Sequence, residues 1–338
     1  MAYHAARTPG FLFRVLLILW AALAIHFSNL PWPPARTALA IAFAIFSIWI
    51  LWFSGTRRRN VIFSAAFAAV VAWWIAIPPS HDRNWRPEAA VLPRAVVDGD
   101  IVRIENVRDF EYRSREDFTP RYMTREVRLS HLTGIDFYVS YWREGPVGHT
   151  FLSFTFDNAP PLGISIETRP EVGEGFAPLA SMFKQFELIY VVGEERDLVG
   201  VRAIHRRESV FLYRLNTSPE DARRLLLVYL ERINEIARRA EWYHLLSNNC
   251  TLNIVRYASA IGRKGRFDIR HLLNGLFDSY LYHAGYTATW LPFEELRERS
   301  RINAAVEAAG DAEDFPARIR KGLPDPRGPD GDAVAGPS

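Results

Sequence analysis

The sequence predicts an α+β domain, an antiparallel sheet packed on helices, carried behind three transmembrane helices. Three observations lead there: three apolar stretches in the first quarter of the chain, then short segments rich in β-branched and aromatic residues, then helical periodicity confined to the last third.

The apolar stretches run roughly over residues 11–27, 37–53 and 61–77, each close to the ~17–25 residues a spanning helix needs. Pro31, Pro33 and Pro34 separate the first two, Gly55 with Arg57, Arg58 and Arg59 separates the next two, and Pro78 and Pro79 close the third. Leu39 to Phe53 has no polar face beyond Ser47, unlike the core helix of a soluble domain. Arg14 interrupts the first stretch and no small-x-small site follows it, so it reads as a retained helix rather than a cleaved leader. Cationic loops stay on the cytoplasmic side, which puts the arginine loop inside. With Arg7 and the N-terminus also inside, everything after about Ser80 is then outside. The expected location is the bacterial cytoplasmic (inner) membrane, multi-pass, with the domain in the periplasm.

The expected organisation is a membrane region over residues 1–79, a proline-bearing linker over 80–97, an extracytoplasmic domain over 98–310, and a disordered tail over 311–338. Asp98-Gly99-Asp100 is turn chemistry, after which 101–104, 125–129 and 135–142 read as strands. Residues 148–156 and 162–168 form a hairpin across the turn 157–161, and 187–192 and 209–215 are further strands. A helix begins at Ser218, where Ser218-Pro219-Glu220-Asp221 supplies an N-cap, a proline at the first position and acids in the first turn. A second helix starts at Asn248 or Asn249 and stops at Gly262, and a third runs from about Pro292 to Ala309.

Composition narrows the chemistry. The net charge is +3 on 41 basic and 38 acidic residues, and lysine occurs only at Lys184, Lys264 and Lys321. Such scattered charge makes no nucleic-acid patch. No pair of histidines or acids has ligand spacing, so neither a metal nor a cofactor is expected. Cys250 is the single cysteine, which rules out an internal disulfide. In Ser247-Asn248-Asn249-Cys250-Thr251 it falls in the first turn of a helix, where free backbone N–H groups and the macrodipole favour a thiolate. The same N–H groups, with Asn249 or Asn248, suit an oxyanion. A thiol nucleophile needs a base, and His149 is the best placed of the domain's histidines. Along its strand it shares a face with Phe151, Ser153 and Thr155, against Thr150, Leu152, Phe154 and Phe156. On the next strand Ser165 and Glu167 share a polar face, so Glu167 is positioned to orient the imidazole and Ser153 to support it.

From Asp98 to about Asn303 the chain resembles the family named for the Lnb N-terminal periplasmic domain. The pieces that carry the resemblance are Asn106 to Arg113, the run around Val139-Ser140-Tyr141-Trp142, Gly148 to Phe154, Ile164 to Arg169, Phe186 to Val192, and Asn248-Asn249-Cys250-Thr251. The resemblance implies a permuted papain-like or NlpC/P60-like thiol fold: histidine first, an orienting polar residue on the next strand, the cysteine on a later helix. It also implies acyl transfer to lipoproteins, with Cys250, His149 and, more weakly, Glu167 as carried-over catalytic residues. The order of parts departs from the family's namesake, whose membrane part follows the domain. The expected activity is therefore cysteine-dependent acyl transfer on a membrane lipid or lipoprotein substrate, with no nucleic-acid partner. A cysteine amidase or peptidase acting on cell-wall or peptide bonds is the first alternative, and a catalytically silent membrane-anchored binding domain the second.

Overall fold

The computed structural model describes residues 8–28, 30, 32–175, 177–263 and 266–328. Arg7 and the last ten residues of the expected tail lie outside them. The chain divides into two compact units. The first takes the chain up to Arg83 together with Gly173–Glu187 and Ala240–Leu245; the second takes Asn84–Val172, Leu188–Arg239 and the chain from Leu246 onward.

In the first unit, helices α1 (Thr8–His26), α2 (Pro33–Ile48, continued as a π turn over Trp49–Phe53) and α3 (Arg59–Ala76) follow the three apolar stretches. Among the described residues two helices are long and apolar enough to cross a membrane, Pro33–Phe53 and Arg59–Ala76. The apolar part of α1, Gly10–His26, is shorter than either, so three expected spans become two. It nevertheless lies alongside α3: Arg14 donates to Asn60 Oδ1 at 3.4 Å, and the Trp20 ring packs on Phe67 and Trp74. Ile18, Ile50, Leu51 and Phe63 form the core of this unit. Its outer surface is apolar, with Leu39, Ile41, Ile45, Val61 and Ile75 half or more exposed. Water does not tolerate an apolar patch of that extent; lipid does.

The second unit is built on an eight-stranded sheet in the order β1-β2-β9-β8-β7-β6-β10, with β5 paired to β2. Its strands are β1 (Arg94–Asp98), β2 (Ile101–Arg108), β5 (Tyr122–Arg128), β6 (Leu132–Tyr141), β7 (His149–Phe156), β8 (Leu162–Arg169), β9 (Glu187–Gly193) and β10 (Ser209–Arg214), while β3 (Glu111–Tyr112) and β4 (Phe118–Thr119) form a separate hairpin. β2 pairs antiparallel with β1 and β5, β6 with β7 and β10, and β7 with β8, while β2 and β9 meet in parallel at Arg108 and Gly193.

Helices cover both faces, which is why β6 and β9 are buried almost without alternation. On one face lie α5 (Pro219–Arg238) and α6 (Cys250–Ala260). Ser218 caps α5 by accepting from Asp221 N, as its sequence signature requires, and Leu226, Tyr229, Ile233 and Ile236 are buried. The Tyr229 ring sits 5.8 Å from Phe154 of β7 and 5.1 Å from Tyr257 of α6, tying the three elements together. On the other face, Tyr138 and Phe151 stack at 4.5 Å among Val199, Ala203, Val306, Phe315 and Ile319. Those residues bring in α4 (Glu195–Gly200, continued as a π turn to His205), α9 (Asn303–Ala309) and α10 (Phe315–Ile319).

Several expectations change here. The 80–97 linker contains β1, which pairs with β2 from Arg94 to Asp98. Of the expected tail, residues 311–328 are ordered around α10, whose Phe315 and Ile319 are each 1% exposed in the core; two apolar side chains outweighed the Pro/Gly/Asp composition around them. The helix expected from Pro292 to Ala309 is two, α8 (Phe293–Arg299) and α9, broken where Arg301 bridges to Phe211 and Ile302 N bonds Val210 O. Segment 195–205 was not anticipated, nor was α7 (Phe277–His283).

Candidate active site

Cys250 opens α6. Asn249, extended at φ −107°, caps the helix by accepting from Leu252 N at 2.8 Å, so the thiol stands in the turn whose backbone N–H groups lack helical partners. The sulfur is buried, with Cys250 2% exposed. Thr251 beside it bonds Thr150 of β7 through the two hydroxyls at 2.8 Å, pinning the helix start to the strand that begins with His149.

Strand pairing brings the second component. β7 and β8 run in a register with Phe151 opposite Ser165, and its continuation puts Glu167 opposite His149. His149 Nε2 lies 2.7 Å from Ser165 Oγ, and Ser165 donates to Glu167 Oε1 at 2.7 Å. Glu167 in turn accepts from Arg202 Nη2 at 2.6 Å. Burial raises the carboxyl's pKa, but the charges of Arg202, His149, Arg108 and Arg206 outweigh it and hold the group well below the usual carboxylate range. An ionised carboxylate only accepts, so the single Ser165 proton points to it and the Ser165 lone pair faces His149 Nε2. Nε2 then carries a proton toward Ser165, and Nδ1 is the nitrogen left to hold the proton that the thiol gives up.

For the thiol, burial pushes the pKa up, and the hydrogen bond and charge of His149, followed by hydrogen bonds from the Thr150 side chain and backbone, more than reverse it. The result is a thiol pulled from 9.0 down to about 6. At neutral pH it is a thiolate, the form that acts as a nucleophile.

The structure also supplies a group that sequence reasoning passed over. Asn274 Nδ2 points at Cys250 Sγ at 3.6 Å, while its Oδ1 accepts from Gly148 N at 3.0 Å. The neighbouring glycine makes this approach possible: a Cβ on Gly275 would lie 2.2 Å from Gly145 O and 2.8 Å from Pro146 C and Val147 N. Gly275 N bonds Pro146 O and its carbonyl accepts from Tyr141 OH at 2.6 Å, so segment 145–148 and Asn274 are locked against each other beside the sulfur.

Of the residues singled out from sequence, Cys250, His149 and Glu167 come together, with Ser165 inserted between the last two. His149 Nε2 is 3.8 Å from Glu167 Oε1, so the carboxylate orients the ring chiefly through the serine. The Oδ1 of Asn249 caps α6, and that of Asn248 accepts from Asn253 Nδ2 at 2.9 Å. Ser153 is elsewhere. It shares the His149 face but lies four residues along β7, beside Glu195. Ser165 was visible on the polar face of its strand, whereas Arg202 comes from a helix the sequence did not announce and Asn274 from a turn marked only by its Asn-Gly pair.

Residues 118–275 match the family model of the Lnb N-terminal periplasmic domain, the family the sequence resembles. The matched stretch contains every residue of the cluster from His149 to Asn274. No curated protein and no solved structure matches the chain. The periplasmic-domain family and the two apolar helices fit a membrane-anchored protein.

Proposed function

We propose that this protein is a membrane-anchored thiol acyltransferase acting on a lipid or lipoprotein substrate at the outer face of the bacterial cytoplasmic membrane. The observation that carries the reading is the alignment of a helix-start thiolate with His149, Ser165, Glu167 and Arg202, a nucleophile, a base and an orienting chain in hydrogen-bonding sequence. The fold is read as a permuted papain-like one: the histidine strand comes first, its orienting partner on the next strand, and the cysteine helix last.

In this mechanism the Cys250 thiolate attacks an ester carbonyl carbon and forms a C–S bond. The carbonyl oxygen takes the negative charge and is met by Asn274 Nδ2–H and the backbone N–H groups at the start of α6. Collapse breaks the C–O bond, and the proton on His149 Nδ1 passes to the departing alkoxide. An amine then attacks the thioester, His149 removes its proton, and the C–S bond breaks to restore the thiolate. Ser165 and Glu167 keep the ring in the tautomer this exchange needs.

A small apolar cleft of about 80 Å³ favours acyl chains over peptides by the character of its lining rather than by its size. It runs along α6 beginning one turn beyond Cys250, and Phe137, Leu152, Ile254, Val255, Phe277 and Leu281 contribute to its lining. The anchor supports a lipid-bound substrate, with the Arg57–Arg59 loop on the cytoplasmic side and α3 leading outward. The test is to incubate the full chain in phospholipid vesicles with a lipopeptide bearing a free α-amine. Amide formation on that amine supports the transferase; fatty-acid release unaffected by the amine makes it a hydrolase, and turnover of neither ester nor amide overturns the reading.

A further inference from the structure

The first unit contains more than the three N-terminal helices. Gly173–Glu187 folds into it, and its 3-10 turn Ala180–Met182 leads into Phe183 and Lys184, which meet the ends of α1 and α3. The Phe183 ring stacks on Phe27 at 5.9 Å and meets Trp20 at 6.3 Å, and Trp20 in turn meets Trp74 at 5.4 Å. Trp20 stands six residues before the end of α1, so Phe183 lies between the levels of Trp20 and Phe27, within roughly 9 Å of that end at 1.5 Å per residue. Lys184 fixes the depth from the other side. Its Nζ donates to Ile75 O at 2.8 Å and Ile77 O at 2.9 Å, the terminal carbonyls of α3, and lies 5.0 Å from the Trp74 ring centre. Trp242 Nε1 donates to the same Ile77 carbonyl at 3.4 Å.

These contacts bury Ala180, Ser181 and Phe183 and leave Leu179 46% and Met182 37% exposed. The run from Phe176 to Phe183 has no charge, and it is flanked by Lys184, a cation whose head lies over the Trp74 ring and holds helix-end carbonyls. Tryptophans such as Trp74 and Trp242, gathered where α3 ends, are the residues of an interfacial belt. Ile75 of α3, whose carbonyl Lys184 holds, is itself 65% exposed.

We propose that the turn 178–183 inserts into the headgroup–acyl boundary of the bilayer on the side where α1 and α3 end, with Leu179 and Met182 as its lipid contacts. The surface fits a lipid monolayer. The proposal rests on reading α2 and α3 as membrane-embedded.

Because Cys250 is the only cysteine, Cys250→Ser provides a background for single labels. Leu179→Cys, Met182→Cys, Val96→Cys in the second unit and Ile45→Cys in α2 would each carry an environment-sensitive fluorophore in the full chain, reconstituted in phosphatidylethanolamine–phosphatidylglycerol vesicles. The labels at 179 and 182 should emit blue-shifted light, be quenched most by a shallow nitroxide lipid about 5–10 Å below the surface, and resist aqueous iodide. Val96 should show the reverse. If Ile45 is quenched by a deep nitroxide while 179 and 182 respond only to iodide, the inserted turn is wrong and the membrane reading stands. If Ile45 too responds only to iodide, the membrane reading falls. Labels at 179 and 182 shielded from both quenchers and cross-linking between copies would assign the patch to self-association and overturn the proposal.

Discussion

Replacing His149 with alanine should change the titration of Cys250 more than any other single change in the domain. In the parent, the thiol is held at about 6, so at pH 7 roughly nine-tenths of it is thiolate. Burial alone raises this pKa, and the hydrogen bond and charge of His149 are the largest influences that lower it. Without the imidazole the pKa should return to 9.0 or above, leaving about 1% thiolate at pH 7 and a roughly 90-fold slower reaction with an uncharged alkylating reagent. The sign also appears in stability. A group whose pKa is depressed on folding stabilises the fold at pH values above its unfolded pKa and loses that contribution as the pH falls through about 6. The assay is the rate of iodoacetamide labelling against pH, read as a midpoint because Cys250 is only 2% exposed and absolute rates will be slow. A parent midpoint above 8, or one that stays near 6 in His149→Ala, would refute the dyad.

Four further outcomes follow, three from the site geometry and one from loop charge. Ser165→Ala removes the link between Glu167 and His149 Nε2, and kcat should drop about 10–100-fold with KM nearly unchanged; Glu167→Gln should in addition lower stability by about 1–3 kcal/mol, since it leaves the 2%-exposed Arg202 without its carboxylate while Glu167 itself is a quarter exposed. Asn274→Asp keeps the acceptor for Gly148 N but loses the donor aimed at Sγ, so kcat should fall about 100-fold or more at nearly constant Tm, and a change within about threefold would remove Asn274 from the oxyanion site. Reporter fusions within Arg57–Arg59 should read cytoplasmic and those just after Ser80 extracytoplasmic, and the opposite pattern overturns the compartment.

The elements that announced themselves carry their own local signals. The cap and apolar stripe of α5 are complete within Ser218–Arg238, and the alternation of β7 and β8 separated the His149 face from the Thr150 face before any pairing was known. Register was not readable, and register is what set Ser165 between Glu167 and the imidazole. The missed parts have long-range causes. Helix 195–205 is short and its Glu195 and Asp197 are buried against Arg320 and Arg108, so its stability comes from partners far along the chain rather than from periodicity. β1 and α10 likewise depend on surfaces that other elements provide. Asn248 and Asn249 adjoin Cys250 and were visible for that reason, whereas Asn274, whose amide points at the sulfur, comes from a turn 24 residues on.

The most direct test is to look for the acyl group on the sulfur. Full-length protein incubated with a phospholipid acyl donor and no amine should accumulate an adduct that mass spectrometry places on Cys250 and that neutral hydroxylamine removes. Cys250→Ala should fold with a similar Tm, carry no adduct and form no acylated amine. An unmodified Cys250 in a turning-over enzyme, or full activity in Cys250→Ala, would contradict the account, because no other group in the cluster is placed to act as the nucleophile.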